Sequence, residues 1–208
     1  MMKYLALGDS YTIGELVPYE ENFPSQVVQQ LQQKGIDLCL DKLIAVTGWT
    51  TDELAAGIYE QRPTPEYDWV TLLIGVNNQY RERSAQEYAV QFYSLLCQAI
   101  YFAQNKPNRI IVLSIPDWGT TPFNTERDVE QTSNEIDALN QLNREISLQL
   151  GVHYLNITES TRSHAQNTEY LASDLLHYSG KEYALWAEAV ANIIFNETQA
   201  ELAAQPGK

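Results

Sequence analysis

Trp69-Val70-Thr71-Leu72-Leu73-Ile74 and Ile110-Ile111-Val112-Leu113 are apolar runs with no polar alternation. A strand that alternates has one wet face; a strand that does not is covered on both. Strands of this kind sit in parallel sheets, and a parallel pair needs a crossover of a dozen or more residues, usually a helix. The chain supplies such crossovers. Further short apolar runs lie at Tyr4–Leu7, within Leu38–Val46 and at Val152–Leu155, and the Ile110 run extends over Arg109–Ile115. Between them the period changes. Tyr88, Phe92, Leu95, Ala99 and Phe102 share one helical face in the segment from Ser84 to about Asn105. Ile136, Leu139, Leu142, Ile146 and Leu150 do so between about Glu130 and Leu150, and Tyr183, Trp186, Val190, Ile193 and Ile194 near the C-terminus. Spacings of three and four put each set on a stripe facing a core.

Helix starts agree with the periodicity. Thr50 precedes Glu53, Ser84 precedes Glu87 and Ser179 precedes Glu182, each pair at capping-box spacing. Asn22 or Ser25 opens another helix running to about Lys34. Five strand–helix alternations predict an α/β fold with a parallel sheet and helices on both faces. A length of 208 residues fits one domain, 1–208. In such sheets ligands bind beyond the carboxyl ends of the strands.

The chemically able residues fall at those ends. Gly8-Asp9-Ser10-Tyr11 follows the first strand, Thr47-Gly48-Trp49 the second and Gly75-Val76-Asn77-Asn78 the third. Asp174-Leu175-Leu176-His177 lies in a long loop before the last helix. Acyl transfer needs a serine hydroxyl, a base to take its proton, a carboxylate to hold that base in the right tautomer, and donors for the oxyanion. Ser10, His177 and Asp174 match the first three roles, and the Asn77 side chain with the backbone amides of Ser10 and Gly48 the fourth. Each motif alone is modest, since Gly, Asp, Ser and Asn are ordinary turn residues; their conjunction in this order at these positions is specific.

The set Gly8-Asp9-Ser10, Gly48, Gly75-x-Asn77 and Asp174-x-x-His177 resembles the SGNH hydrolases, the GDSL family of esterases and lipases. The resemblance spans residues 8 to 177. It implies a flavodoxin-like three-layer α/β/α fold with a five-stranded parallel sheet ordered 2-1-3-4-5. It also implies Ser10 as nucleophile, His177 as base, Asp174 as its orienting acid, and an oxyanion hole of Ser10, Gly48 and Asn77, with no metal or organic cofactor. Two positions depart from the family pattern. Asn78 stands where Asp is usual, which implies altered support for its loop rather than lost activity, and Tyr11 stands where Leu is usual.

For the substrate pocket the candidates are Tyr11, Trp49, Asn78, Tyr80, Trp118 and Tyr178, with the rim loop Pro116–Phe123 after the fourth strand. The alternative is that these rings pack against one another. His153 reads as a packed or surface residue, His164 as a weak rival for the base, and Asp9 as a residue bonding its own turn. Cys39 and Cys97 lack metal or redox spacing and read as buried free thiols.

The expected function is therefore a serine esterase acting on small soluble acyl esters, with a carbohydrate O-acetyl esterase, lysophospholipase or thioesterase as alternatives. A net charge of -14 argues against a nucleic-acid partner. No apolar run reaches the ~18 residues of a membrane span. Met1–Leu7 is too short for a signal peptide, which makes the expected location cytoplasmic. The rival from another class is an anion-binding flavodoxin-like protein cradling its ligand at Gly8–Thr12. That loop has no lysine, and the rival leaves Asp174 and His177 without a role.

Overall fold

The two unalternating runs become β3 (Trp69–Leu73) and β4 (Ile110–Leu113), buried at every residue. They belong to a five-stranded parallel sheet, which the computed structural model describes within residues 1–204. The other strands are β1 (Met2–Gly8), β2 (Leu38–Ala45) and β5 (His153–Leu155), and the order is β2-β1-β3-β4-β5. β2 and β5 are the edges, and most of their residues are correspondingly only partly buried, Leu38 and Ile44 excepted.

Helices α2 (Phe23–Gln33), α3 (Thr51–Gln61), α5 (Ala85–Phe102) and α6 (Val129–Leu150) are the crossovers, and α8 (Gly180–Ala204) closes the described chain. Right-handed crossovers dictate their sides. The path from β1 out to β2 runs opposite to the path from β2 back over β1 to β3, β4 and β5. Accordingly α2 packs with α8 on one face, while α3, α5 and α6 lie in a row on the other. The predicted stripe of α5, Tyr88 to Phe102, is buried throughout. Burying each such large apolar side chain contributes about 1.5–3 kcal/mol.

Three short helices follow strand or loop ends: α1 (Ser10–Ile13), α4 (Val76–Tyr80) and α7 (Thr158–His164). Asn22 caps α2, accepting from the Ser25 amide at 2.8 Å, and the box at Thr50 forms as the sequence predicts. At Ser84 only half of the box forms: its hydroxyl accepts from the Glu87 amide, while the Glu87 carboxylate accepts from Arg83 and Gln91. The box at Ser179 does not form. The Ser179 amide already donates to the Tyr170 carbonyl, so Glu182 turns inward instead. There its fully buried carboxylate accepts from Ser160, Trp186 and His164. Cys39 and Cys97 are free but half-buried rather than buried, since one lies on the edge strand and the other on the flank of α5. Among the described residues no helix is long and apolar enough to cross a membrane.

The register places the site. Gly8 pairs with Ala45 on one side and with Leu73 on the other, so three strands end side by side. The loops leaving them begin on one rim.

Candidate active site

Ser10 begins α1, directly beyond β1. Asp9 caps that helix through the Tyr11 amide (3.0 Å), a bond that turns the chain sharply out of the sheet. A side chain on Gly8 would lie 2.4 Å from the Leu73 carbonyl, so only glycine lets β1 and β3 approach here. Asp9 itself is fully buried, and burial pushes its carboxyl up to about 7 against the opposing pull of its backbone hydrogen bonds.

His177 reaches this serine across 167 residues of chain: its Nε2 lies 3.0 Å from Ser10 Oγ. Its Nδ1 lies 2.6 Å from Asp174 Oδ2. The other carboxylate oxygen, Oδ1, accepts from the amides of Leu176 and His177, both at 3.0 Å. Asp174 thus shapes the turn and orients the ring with separate oxygens. Burial opposes its ionisation, but the hydrogen bonds from His177 and from these amides outweigh that and hold its carboxyl below the usual value. Residues 171–178 are closed by a bridge between Leu171 and Tyr178, and the Tyr11 ring sits 5.3 Å from the imidazole. Leu175 takes a left-handed φ of 60° at the tip, a conformation that costs a non-glycine residue about 1–3 kcal/mol.

The second and third loops are fastened together. Trp49 N donates to Val46 O (3.2 Å), closing a turn in which Gly48 has φ 84°. A positive φ at the third residue of a turn is the mark of type II, and glycine adopts it without strain. Asn77, on α4, donates from Nδ2 to the Trp49 carbonyl at 3.0 Å. Arg81 donates from its guanidinium to the Gly48 carbonyl at 2.6 Å, and Thr47 donates to the Glu15 carboxylate. The Gly48 amide is not among the bonds that fix this turn.

A cavity of about 220 Å³ opens over Ser10 and His177, walled by Tyr11, Val76, Asn77, Tyr80, Trp118, Phe123 and Leu176. Trp118 is set by its Nε1 bond to Gln79 Oε1 (2.7 Å), and Gln79 in turn donates to Glu135 of α6 (2.8 Å). Of the pocket residues expected from sequence, Tyr11, Tyr80 and Trp118 are on this wall; Trp49, Asn78 and Tyr178 are not. Trp49 folds back over Gly57 of α3. Asn78 points about 100° around α4 from Asn77 and is fully buried, bonded to the Thr51 amide (3.1 Å) and hydroxyl (2.8 Å). Tyr178 follows His177 at the bridge to Leu171 and is buried against Trp186. Phe123, the last residue of the expected rim loop, is on the wall as well; Val76 and Leu176 were missed, being apolar residues with no marker beyond their place in a motif. His164 lies elsewhere, its Nδ1 2.7 Å from Glu182 and its ring stacked on Tyr170. His153 contacts the Asn108 carbonyl at the sheet edge.

The sequence matches the model of the GDSL-like lipase/acylhydrolase family over residues 6–185. No curated protein matches it significantly. Among solved structures, a lipase/acylhydrolase from Enterococcus faecalis superposes with TM-score 0.71 at 18% identity, covering 95% of this chain and 97% of that one. The psychrotrophic esterase EstA from Pseudoalteromonas sp. gives 0.68 at 16% identity, covering 96% and 100%. The acetylxylan esterase Axe2 from Geobacillus stearothermophilus gives 0.70 at 19%, covering 93% and 94%. At these identities the likeness is one of fold.

Proposed function

As the chain belongs to the GDSL-like lipase/acylhydrolase family and is an ester-hydrolysing enzyme, we propose that it works through an acyl-enzyme on Ser10 and acts on short acyl esters of small alcohols. The observation that carries this reading is the continuous chain from Ser10 Oγ to His177 Nε2 (3.0 Å) and from His177 Nδ1 to Asp174 Oδ2 (2.6 Å).

In the first step Ser10 Oγ attacks the ester carbonyl carbon while its proton passes to His177 Nε2. Asp174 stabilises the imidazolium from the Nδ1 side. The carbonyl oxygen becomes an oxyanion, met by the Asn77 side-chain amide and the backbone amides of Ser10 and Gly48. Collapse breaks the bond to the alcohol, which departs with the proton from His177. Water then attacks the acyl-enzyme by the same route: His177 takes its proton and returns one to Ser10 Oγ as the acid leaves. Asn78 plays no part in proton transfer; its two bonds to Thr51 brace α4 against α3.

Small substrates are supported by the cavity, about 220 Å³, below the roughly 300–1,000 Å³ typical of sites for drug-sized ligands. A sugar O-acetyl ester is the second reading. The aromatic wall of Tyr80, Trp118 and Phe123 also bounds a recess of about 280 Å³ lined by Asn124, Thr125, Glu126 and Arg127, polar enough for a hydroxylated alcohol moiety.

Turnover of p-nitrophenyl acetate, labelling by a fluorophosphonate and mapping of the adduct by mass spectrometry test the mechanism. The expected adduct is on Ser10 and is absent in Ser10→Ala. Turnover without any adduct at Ser10 would sink the reading. Acetylated xylo-oligosaccharides run beside p-nitrophenyl esters of increasing chain length separate the two substrate classes.

A further inference from the structure

We propose that Arg81 is a positioning residue for the oxyanion hole, locking the turn that carries Gly48 to the helix that carries Asn77. The proposal rests on the reading of Gly48 and Asn77 as oxyanion donors.

Arg81 follows α4 directly and touches both loops at once. Its backbone amide donates to the Asn77 carbonyl at 3.0 Å. Its guanidinium donates through NH2 to the Gly48 carbonyl at 2.6 Å. Asn77 Nδ2 reaches back to the carbonyl of Trp49, the next residue. The four residues therefore form a closed ring of contacts: Asn77 to Trp49, Trp49 to Gly48 through the chain, Gly48 to Arg81, and Arg81 to Asn77. The other guanidinium arm, NH1, lies 3.2 Å from Glu53 Oε1, and Glu53 Oε2 accepts from the Thr50 amide at 2.8 Å. The ring is thus moored to the start of α3.

The ring matters because it fixes the position of Gly48 against α4. The Gly48 carbonyl lies on the peptide that leaves the residue and the Gly48 N–H on the peptide that enters it, so a bond to the first holds the Cα between them. That bond is charge-assisted and short at 2.6 Å, and without it the glycine-containing turn Val46–Trp49 is free to shift the donor away from the oxyanion. The ion pair with Glu53 is solvent-exposed, with side chains 42% and 39% accessible, so it adds little to global stability. The guanidinium's main effect then falls on the geometry of the turn, where a misplacement of about 1 Å can cost up to about 10² in rate.

The test compares wild type with Arg81→Ala and Arg81→Lys on p-nitrophenyl acetate, with a trifluoromethyl ketone as tetrahedral-intermediate mimic. The expected result for Arg81→Ala is a fall in kcat of roughly 10–100-fold with KM within about twofold. Affinity for the ketone falls by the same factor as kcat/KM, and millimolar guanidinium restores part of the rate. Arg81→Lys recovers a fraction, since an ammonium reaches the carbonyl but does not also hold Glu53. If Arg81→Ala fails to fold, Arg81→Gln carries the same comparison. Wild-type kcat/KM in these variants, or a lost rate with undiminished ketone affinity, would overturn the role of Arg81. Absence of a Ser10 adduct in the wild-type enzyme overturns instead the site reading beneath it.

Discussion

The indole of Trp49 packs against Gly57, so close that a methyl group at residue 57 would sit 2.2 Å from Cη2 and 2.7 Å from Cζ3. Trp49 shares a turn with Gly48, and its carbonyl holds the Asn77 side chain, so packing on α3 is transmitted to both proposed oxyanion donors. In Gly57→Ala the ring must move, because its atoms are rigid. Helix propensity gains about 1 kcal/mol and overpacking costs about 1–3 kcal/mol, so Tm falls only slightly. The expected kinetic effect is a drop in kcat of about tenfold or more with KM little changed. A variant with wild-type kcat on p-nitrophenyl acetate would show that the indole is free to shift without disturbing the turn.

Phe123 divides two spaces. It lines the cavity over Ser10 and also the neighbouring polar recess, with its ring 6.3 Å from that of Trp118 and 41% of its surface exposed. Phe123→Ala joins the spaces at little cost in stability, since the side chain is far from fully buried. Each methylene newly housed contributes up to about 0.8 kcal/mol, so two more acyl carbons favour the longer ester by about tenfold. The measurement is kcat/KM along a series of p-nitrophenyl esters, expected to peak at longer chains in the variant. An unchanged chain-length profile would place the acyl group elsewhere.

How far this site was legible from sequence follows from particular residues. β3 and β4 were readable because every side chain is buried and none alternates; Asn22, Thr50 and Ser84 were readable because capping is local. Ser10 and His177 stand 167 positions apart, and no local period links them; what linked them was the rule that sites form beyond the carboxyl ends of parallel strands, the set of roles acyl transfer needs, and the resemblance of their motifs to a known family. Trp49, Asn78 and Tyr178 were misplaced for one reason: sequence marks a rim residue but not the direction of its side chain, which depends on helix phase, the local path of a loop or a gap such as that over Gly57. Arg81 was invisible, because its partner is a backbone carbonyl and carbonyls leave no trace in composition. Glu182 matched a capping box by spacing and was claimed by a buried cluster instead.

Asp9 makes stability pH-dependent near neutrality. Burial lifts its carboxyl to about 7 from an ordinary 3.8, and among the described residues its Oδ2 has no hydrogen-bond partner. Between these values the folded state keeps a proton that the unfolded state has released, so stability falls as pH rises across the window, and the loss persists above 7. The slope is at most ~1.4 kcal/mol per pH unit. Asp9→Asn keeps an acceptor for the Tyr11 amide and removes the titration. Urea unfolding at pH 4 to 8 is expected to show the variant gaining on wild type as pH rises. Parallel stability curves would mean that Asp9 stays ionised throughout.

Asp174→Asn tests the tautomer argument most directly. Oδ1 accepts two backbone amides, so in the variant the asparagine oxygen is kept there and its NH₂ replaces Oδ2 opposite His177 Nδ1. Flipping the amide would give up both backbone bonds. Nδ1 must then accept, which moves the ring proton to Nε2, and Nε2 faces Ser10 with a donor where a base is needed. The fold stays intact while kcat falls by about 10⁴, read on p-nitrophenyl acetate, and fluorophosphonate labelling of Ser10 slows with it. The same substitution changes acid stability with a defined sign. The wild-type carboxyl lies below its ordinary 3.8, so its contribution is present above that value and is lost as pH falls through the folded-state value. The variant has no such loss. A variant that kept kcat within tenfold of wild type would show that His177 is oriented by something other than Asp174.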